Sequence, residues 1–402
     1  MAVTGTITTR FIDEKGVDLG RQLVEKDYLI SVYPNLVPQL KSAGLFVWGS
    51  NSNGRIGDNT IIDRSSPVQT ISASAIWRQT SSGNNHMGCI KSDGTLWMWG
   101  FNQFAQLGDN SVVHRSSPVQ TAAGGTNWQQ LSCGYGHNGA IKTDGTLWMW
   151  GVGGNGNLGD NTTTAKSSPV QTVTGGTNWN QIACGASFTG AIKNDGTLWM
   201  WGFNAFGMLG NNSVAQISSP VQTAAGGTNW KQLSCGNRLT AAIKQDGTLW
   251  CWGYNAEGQL GDNTVVDKSS PVQTITGGTN WKQVSCGLYF TAAIKTDGTL
   301  WMWGRNAYGQ LGRNSLTFIS SPIQTITGGT NWKQVSCSRG GHVAALKTDG
   351  TLWAWGNGTL GRLGNNDTTN KSSPIQITNY GTNWKQVDAG ERGTAAILDF
   401  NY

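Results

Sequence analysis

The chain has 402 residues and a net charge of +6, and charged residues make up only 12% of it. Twenty Trp and 57 Gly in so charge-poor a chain exclude intrinsic disorder, because the aromatic side chains supply a large burial payload. No run of Lys or Arg marks a nucleic-acid footprint, no stretch approaches the roughly 18 apolar residues of a membrane helix, and the N-terminus lacks the basic-then-apolar order of a secretory signal peptide.

Residues 1–43 stand apart from the rest of the chain. Residues 3–11 alternate as a strand does, and 25–33 read as a short helix ended by Pro34. Three apolar pairs, Leu29-Ile30, Val32-Tyr33 and Leu36-Val37, crowd a segment too short to bury them alone. Phe11, Tyr28, Leu29, Tyr33 and Leu36 are therefore candidate anchoring residues, and 1–43 is read as an anchoring extension of a domain at 44–402.

From residue 44 onward the chain repeats. Asp-Gly-Thr-Leu-Trp occurs at 93–97, 144–148, 195–199, 246–250, 297–301 and 349–353, a step of 51 residues with a final step of 52. Trp-Gly gives seven copies, at Trp48, Trp99, Trp150, Trp201, Trp252, Trp303 and Trp355. Ser-Ser-Pro keeps step from Pro67 to Pro374, and a further Trp series runs from Trp77 to Trp384. The one extra residue falls between Cys337 and His342. Fixed periods of this length mark repeat architectures.

Each copy reads as β-structure. In residues 292–304 two apolar runs flank Asp-Gly, the signal for a two-residue hairpin with positive φ at both turn residues. Leu300 and Met302 face one way and Trp301 and Trp303 the other, so the sheet is covered on both sides. Residues 269–276 and 280–286 add two strands, separated by Gly-Gly-Thr-Asn turn chemistry. Four short strands per copy, seven times over, predict an all-β, seven-bladed β-propeller of four-stranded blades. A stacked solenoid would need atypical capping copies. The last copy ends at 394–402 without its second hairpin strand, and that strand appears as Leu-Phe-Val-Trp-Gly at 45–49. Residues 45–48 are expected to pair with 395–400, so that both ends of the chain complete one blade and remove the open edges.

The segment 252–263, WGYNAEGQLGDN, and the segment 131–145, LSCGYGHNGAIKTDG, resemble the repeat of the regulator of chromosome condensation family. The resemblance covers 45–402 and implies a seven-bladed propeller. Members of that family exchange nucleotide on a small GTPase and bind chromatin, and a secreted bacterial relative inhibits β-lactamase. This chain lacks the basic tail of a chromatin binder and any long insertion that would wedge a GTPase. The leader, with VEKDYLISVYPNL at 24–36 running into a propeller, is similar to virion structural proteins of tailed bacteriophages, especially those of cyanobacteria.

Internal comparison of the copies removes most chemical sites. Cys133 and His137 have the spacing of a thiol or metal pair, but equivalent positions hold Phe188, Leu239 and Phe290 in place of His, which a ligand position would not accept. Five of seven Cys share one position, where other copies have Ser82 and Ala389, so a disulfide framework is not expected. Asp58, Asp109, Asp160 and Asp262 alternate with Asn211, Arg313 and Asn365; Arg is hostile to a cation site, so these are turn formers. Lys91, Lys142, Lys193, Lys244, Lys295 and Lys347 are each followed by Asp two residues on, as solvated hairpin tips are. Only Glu257 and Glu391 supply glutamates in the propeller, and no phosphate loop occurs. No catalytic residue, cofactor or metal ligand is assigned, and the chain is read as non-enzymatic.

What differs between copies is more informative. Phe101, Phe203, Tyr254 and Arg305 follow Trp-Gly; Phe104, Phe206 and Tyr308 come three residues later; and Tyr135, Arg238, Tyr289 and Arg392 follow the Cys-Gly step or its equivalent. Aromatic and Arg loop residues are the usual anchors of protein interfaces. The resulting expectation is a virion component of head, tail or baseplate, made in the host cytoplasm. Residues 1–43 would bind other virion proteins and the loops a host-surface or neighbouring-subunit protein, with no nucleic acid and no membrane span. The alternatives are a soluble GTPase regulator and a secreted enzyme inhibitor.

Overall fold

A computed structural model of the chain describes residues 8–12, 18–23, 43–71, 76–327 and 329–399. Among these, seven antiparallel four-stranded sheets form the blades of a closed propeller, and Thr8–Ile12 pairs separately with Asp18–Leu23. Phe11 falls in the first strand of that hairpin. The expected helix at 25–33, with Tyr28, Leu29, Tyr33 and Leu36, lies outside the described residues. No described helix is long and apolar enough to cross a membrane.

Blades are numbered from the one that begins at Trp77. In blade 5 the strands run outward from the axis as Trp281–Cys286, Phe290–Lys295, Leu300–Gly304 and Ile319–Gln324. The second and third strands are buried almost throughout, as expected for a sheet covered on both faces. The outermost strand carries Pro in its centre in every blade, which blunts an otherwise open edge.

The Asp-Gly hairpin differs in detail from expectation. Only its glycine takes positive φ, +80° at Gly94, while Asp93 does not. The Gly94 N–H donates to the Lys91 carbonyl at 3.0 Å, which makes a turn over Ser92-Asp93 followed by a left-handed glycine, a longer loop than two residues. The rest of the pentapeptide is bonded to itself. The Asp93 carboxylate accepts the Thr95 N–H at 2.9 Å and hydroxyl at 2.6 Å, and Thr95 Oγ1 accepts the Trp97 indole N–H at 2.8 Å. That network is why Asp, Gly, Thr and Trp recur together.

Closure occurs where the sequence places it. Ala43–Gly49 pairs antiparallel with Gly393–Asp399, Leu45 opposite Ile397 and Trp48 opposite Thr394. The pairing thus begins two residues earlier than 395, at Gly393, and residue 400 lies outside the described residues. Blade 7 therefore takes its two inner strands from the C-terminal end and its two outer strands from the N-terminal side.

Three ties hold each blade to the next, and the closing blade has all three. On the axis, a glutamine amide substitutes for a strand: Gln283 donates to the Val335 carbonyl at 3.1 Å and accepts the Val335 N–H at 3.0 Å. The last link is Gln386, accepting the Thr80 N–H at 3.1 Å. In the middle, the Trp303 indole donates to the Gln259 carbonyl of blade 4 at 2.9 Å, and Trp48 does the same to Arg362. A Cβ on Gly261 would lie 2.7 Å from Trp303 Nε1, so the Leu-Gly-Asp glycine is required by this close approach as well as by its φ of +69°. At the rim, Asn263 (φ +60°) donates its N–H to the Ser320 carbonyl at 2.9 Å, and Asn366 reaches Ser65 at 2.8 Å. All seven Cys are buried and unpaired.

Candidate protein-binding face

The fold gives the molecule two unlike faces. On one, which we call the turn face, the first and third strands of every blade end. The Phe101 N–H donates to the Asn85 carbonyl at 2.8 Å and that of Arg305 to Tyr289 at 2.8 Å, so the residues after Trp-Gly and after Cys-Gly lie side by side. On the other, the tip face, the Asp-Gly hairpins meet the Gly-Gly-Thr-Asn turns, with the Trp128 N–H on the Gly94 carbonyl at 3.0 Å.

All eleven variable loop residues lie on the turn face, and six of them join in one belt across blades 3 to 5. Phe206 and Tyr254 meet edge to face at 5.1 Å, and the Tyr254 and Tyr289 rings lie tilted at 5.3 Å. The Arg238 guanidinium lies over Phe206 at 4.8 Å and Tyr254 at 5.9 Å; Arg305 lies 5.9 Å from both Tyr289 and Tyr308. Tyr289 holds φ +59°, an unusual conformation for a bulky residue, and so extends this stack. The other five are not joined to the belt. Phe101 stacks on His114 at 4.7 Å and Phe104 at 5.9 Å in blade 1. Phe104 is 52% and Tyr135 50% exposed. Phe203 packs against the core of blades 3 and 4. Arg392 is exposed, and its carbonyl accepts from the buried Arg55 at 2.6 Å.

The extra residue of blade 6 lies at the centre of this face. Ser338, Arg339, Gly340 and Gly341 replace the shorter turn of the other blades, and Arg339 reaches across the axis to the Cys184 carbonyl of blade 3 at 3.4 Å. It caps a polar channel of about 250 Å³ lined by the inner strands. Within the channel, Ser Oγ atoms accept N–H groups of the following blade, as Ser285 does from Cys337 at 2.9 Å. Asp388 takes this role in blade 7, accepting the Ser82 N–H at 2.6 Å, and burial pushes its carboxyl upward.

The remaining candidates are structural. His137 is buried and its Nε2 lies 3.0 Å from Thr189 Oγ1; burial pushes its pKa down to about 3 and that of Cys133 well up, which suits neither a base nor a thiolate. Asp58 binds the Thr60 N–H and hydroxyl and pairs with Arg64 at 2.9 Å. Asp109, Asp160 and Asp262 pair likewise with Arg115, Lys166 and Lys268. Where Asn211 and Arg313 replace Asp, the partner becomes Ile217 and Ile319. The six hairpin lysines are more than solvated tips. Each rests over two Trp rings, as Lys142 does at 4.7 Å from Trp128 and 4.5 Å from Trp148.

Two features escape sequence reasoning. Apolar residues after the Gly-Asp-Asn turn stand out from the rim of the turn face: Ile61, Val112, Val214, Val265 and Leu316 are each more than half exposed. The residue between Trp and Gln of the inner strand is Arg78, Lys231, Lys282, Lys333 or Lys385 in five blades, and all are exposed near the tip-face start of that strand. Both are repeat positions, and the chemistry of each repeat column is the signal that could find them.

The RCC1-like domain profile matches residues 44–396. The ultraviolet-B receptor UVR8 of Arabidopsis thaliana is 29% identical over 335 residues, 81% of this chain and 76% of that protein. The mitochondrial RCC1 domain-containing protein RUG3 of the same plant is 30% identical over 359 residues, 80% of this chain and 79% of that protein. Among solved structures, human WBSCR16 matches with a TM-score of 0.79 at 20% identity, covering 90% of this chain and 100% of that one. Yeast RCC1 (Prp20), solved with Kap60, matches with a TM-score of 0.78 at 18% identity, covering 89% of each chain. Those two likenesses show the fold. The profile match across most of the chain shows the family: this protein belongs to the RCC1-like domain family of seven-bladed β-propellers.

Proposed function

We propose that the chain is a non-enzymatic protein-binding propeller carried on a phage virion, attached through residues 1–43 and binding a partner through its turn face. The observation that carries this reading is the polarity of the fold. The leader joins the propeller at Ala43, opposite Asp399 at the tip-face end of blade 7, whereas the variable aromatic and arginine residues lie on the other face. A propeller tethered by its leader holds those loops outward. Residues repeated in every copy form hairpins and inter-blade ties, and those that vary are left to a partner. Yeast Prp20, solved with Kap60 and described for its binding to Gsp1p and histones, supports protein binding as the mode. The virion assignment rests on the likeness of the leader to phage structural proteins.

The test is site-specific photo-crosslinking on purified particles, with probes at Phe104 and Tyr135 on the turn face, at Asn194 on a hairpin tip and in residues 1–43. The proposal expects the leader probe to capture another virion protein and the turn-face probes to capture a different protein, with Asn194 silent. Turn-face probes that capture nothing while Asn194 does would reverse the assignment of faces.

A second reading, regulation of a GTPase, is favoured by the similarity to the GTPase regulator homolog of Caenorhabditis elegans, 25% identical over 332 residues. It expects the chain to accelerate nucleotide release from a partner GTPase, and no acceleration across a panel would count against it.

A further inference from the structure

The aromatic belt of the turn face has hydrogen-bond donors to spare. The Arg238 guanidinium lies over Phe206 at 4.8 Å and Tyr254 at 5.9 Å, and that of Arg305 lies 5.9 Å from both Tyr289 and Tyr308. A guanidinium that stacks on rings keeps the N–H groups of its edge for other partners. Among the described residues nothing takes them, since neither side chain makes a hydrogen bond or an ion pair. Other arginines of this face are spent. Arg55 donates to the Asn84 and Arg392 carbonyls, Arg362 to those of Gly340 and Glu391, and Arg64 pairs with Asp58. The nearby acids do not fill the gap. Asp262 pairs with Lys268 at 3.7 Å, Asp267 accepts the Asn255 N–H at 2.7 Å, and Glu257, at the blade 4 copy of the Phe206 position, pairs with neither arginine.

Building on the turn face as the binding surface, we propose that this belt holds an acidic, extended segment of the partner protein, with one carboxylate on each of Arg238 and Arg305. Arg donates to a carboxylate through two parallel N–H bonds, and stacking holds the fork in place for it. The steps from Arg238 to Tyr254, Tyr289 and Arg305 are 5.9, 5.3 and 5.9 Å, so about five or six extended residues at about 3.3 Å each reach both forks. The rings favour a protein over a nucleic acid or a sugar. Each already carries a guanidinium or another ring, and Tyr308 also lies against Gly341, where an added Cβ would come 2.8 Å from its Cδ2. A base or a sugar needs an open ring face to stack on, whereas a carboxylate needs only the guanidinium edge.

The test is fluorescence anisotropy of the full chain with dye-labelled peptides of equal length, alternating Glu-Leu, Ser-Leu or Lys-Leu. The Glu-Leu peptide should bind best, and its affinity should fall as salt rises. The double variant R238S/R305S should bind it about thirtyfold more weakly, about fivefold for each half-exposed charge pair. Ser187 and Ser50 already occupy these positions in blades 3 and 7, so the substitutions are compatible with the fold. K231Q, on the tip face, should bind as the natural chain does. Equal affinity for the Ser-Leu peptide, an unchanged affinity in the double variant, or tighter binding of a polyuronate oligosaccharide of matched charge would each overturn the proposal. Photo-probes at Phe104 and Tyr135 on particles separate the two levels. Capture of a protein there with no preference for the acidic peptide removes only the acidic segment, whereas silent probes remove the turn face as well.

Discussion

Replacing Trp48 by Phe isolates the strength of the seam that closes the ring. Trp48 is fully buried, and its indole N–H donates to the Arg362 carbonyl at 2.9 Å. That carbonyl also accepts the Thr394 hydroxyl at 2.9 Å, so the substitution leaves no orphaned acceptor. The lost hydrogen bond is worth about 1 kcal/mol net. Shrinking the ring leaves roughly 40 Å³ empty, another 1 kcal/mol or so, with lost transfer energy on top. The total is about 2–3 kcal/mol, or about thirty- to a hundred-and-fiftyfold in an opening equilibrium. Trp201→Phe is the matched control, since Trp201 donates to the Asn157 carbonyl at 3.0 Å, shared with Thr189 at 2.8 Å. The two differ in one respect: blade 3 is one continuous stretch of chain, while the two halves of blade 7 come from separate stretches held together by the pairing of Ala43–Gly49 with Gly393–Asp399 and by contacts such as Arg55 to the Arg392 carbonyl. Hydrogen exchange should therefore rise by that factor at 43–49 and 393–399 in W48F and remain nearly unchanged there in W201F. Equal acceleration of the seam by both variants would refute the idea that the ring opens first where the chain ends meet.

Other consequences are as direct. Gln283→Leu removes both bonds to Val335 while channel water replaces them in part, so denaturant unfolding should show a loss of about 1–2 kcal/mol, and an unchanged midpoint would exclude the glutamine amides as a tie. His137, His86 and His342 are held by burial below their ordinary pKa, the first two at about 3 and about 4. The unfolded chain binds protons to them below about pH 6.5, so they lower stability as pH falls from there toward 4. His137→Phe, with the residue blades 3 and 5 already use, should flatten part of that acid loss, and an identical stability–pH profile would contradict the linkage. Combined Phe104→Ala and Tyr135→Ala should abolish partner capture with little movement of the unfolding midpoint, because both side chains are half exposed; intact capture would place the binding surface elsewhere.

The fold is legible in the sequence because a closed ring makes every copy meet the same neighbours. Trp303 needs a glycine and a carbonyl from blade 4, and Asn263 needs a serine from blade 5, so the residues that tie blades together must repeat with the blade. The truncated last copy and the strand at 45–49 reveal closure for the same reason. The hairpin turn is misjudged from sequence because Asp-Gly fits two loop types, and only the bond from Gly94 to Lys91 separates them. The lysines above the Trp rings stay hidden because cation–π contact depends on which faces of a sheet align. At the candidate site, sequence variation picks out the eleven loop residues, but only the structure places them on one face and shows that six join in one belt. Arg339 is out of reach, since a single inserted residue does not announce that its side chain crosses the axis.

The central claim is that residues 1–43 attach the propeller to a particle and leave its turn face open to a partner. Density-gradient fractionation of a lysate from the source, with mass spectrometry on each fraction, tests it by comparing the full chain with residues 44–402. The full chain should travel with particles while the shortened chain, still folded, stays at the top of the gradient. Both chains remaining at the top would contradict attachment through the leader.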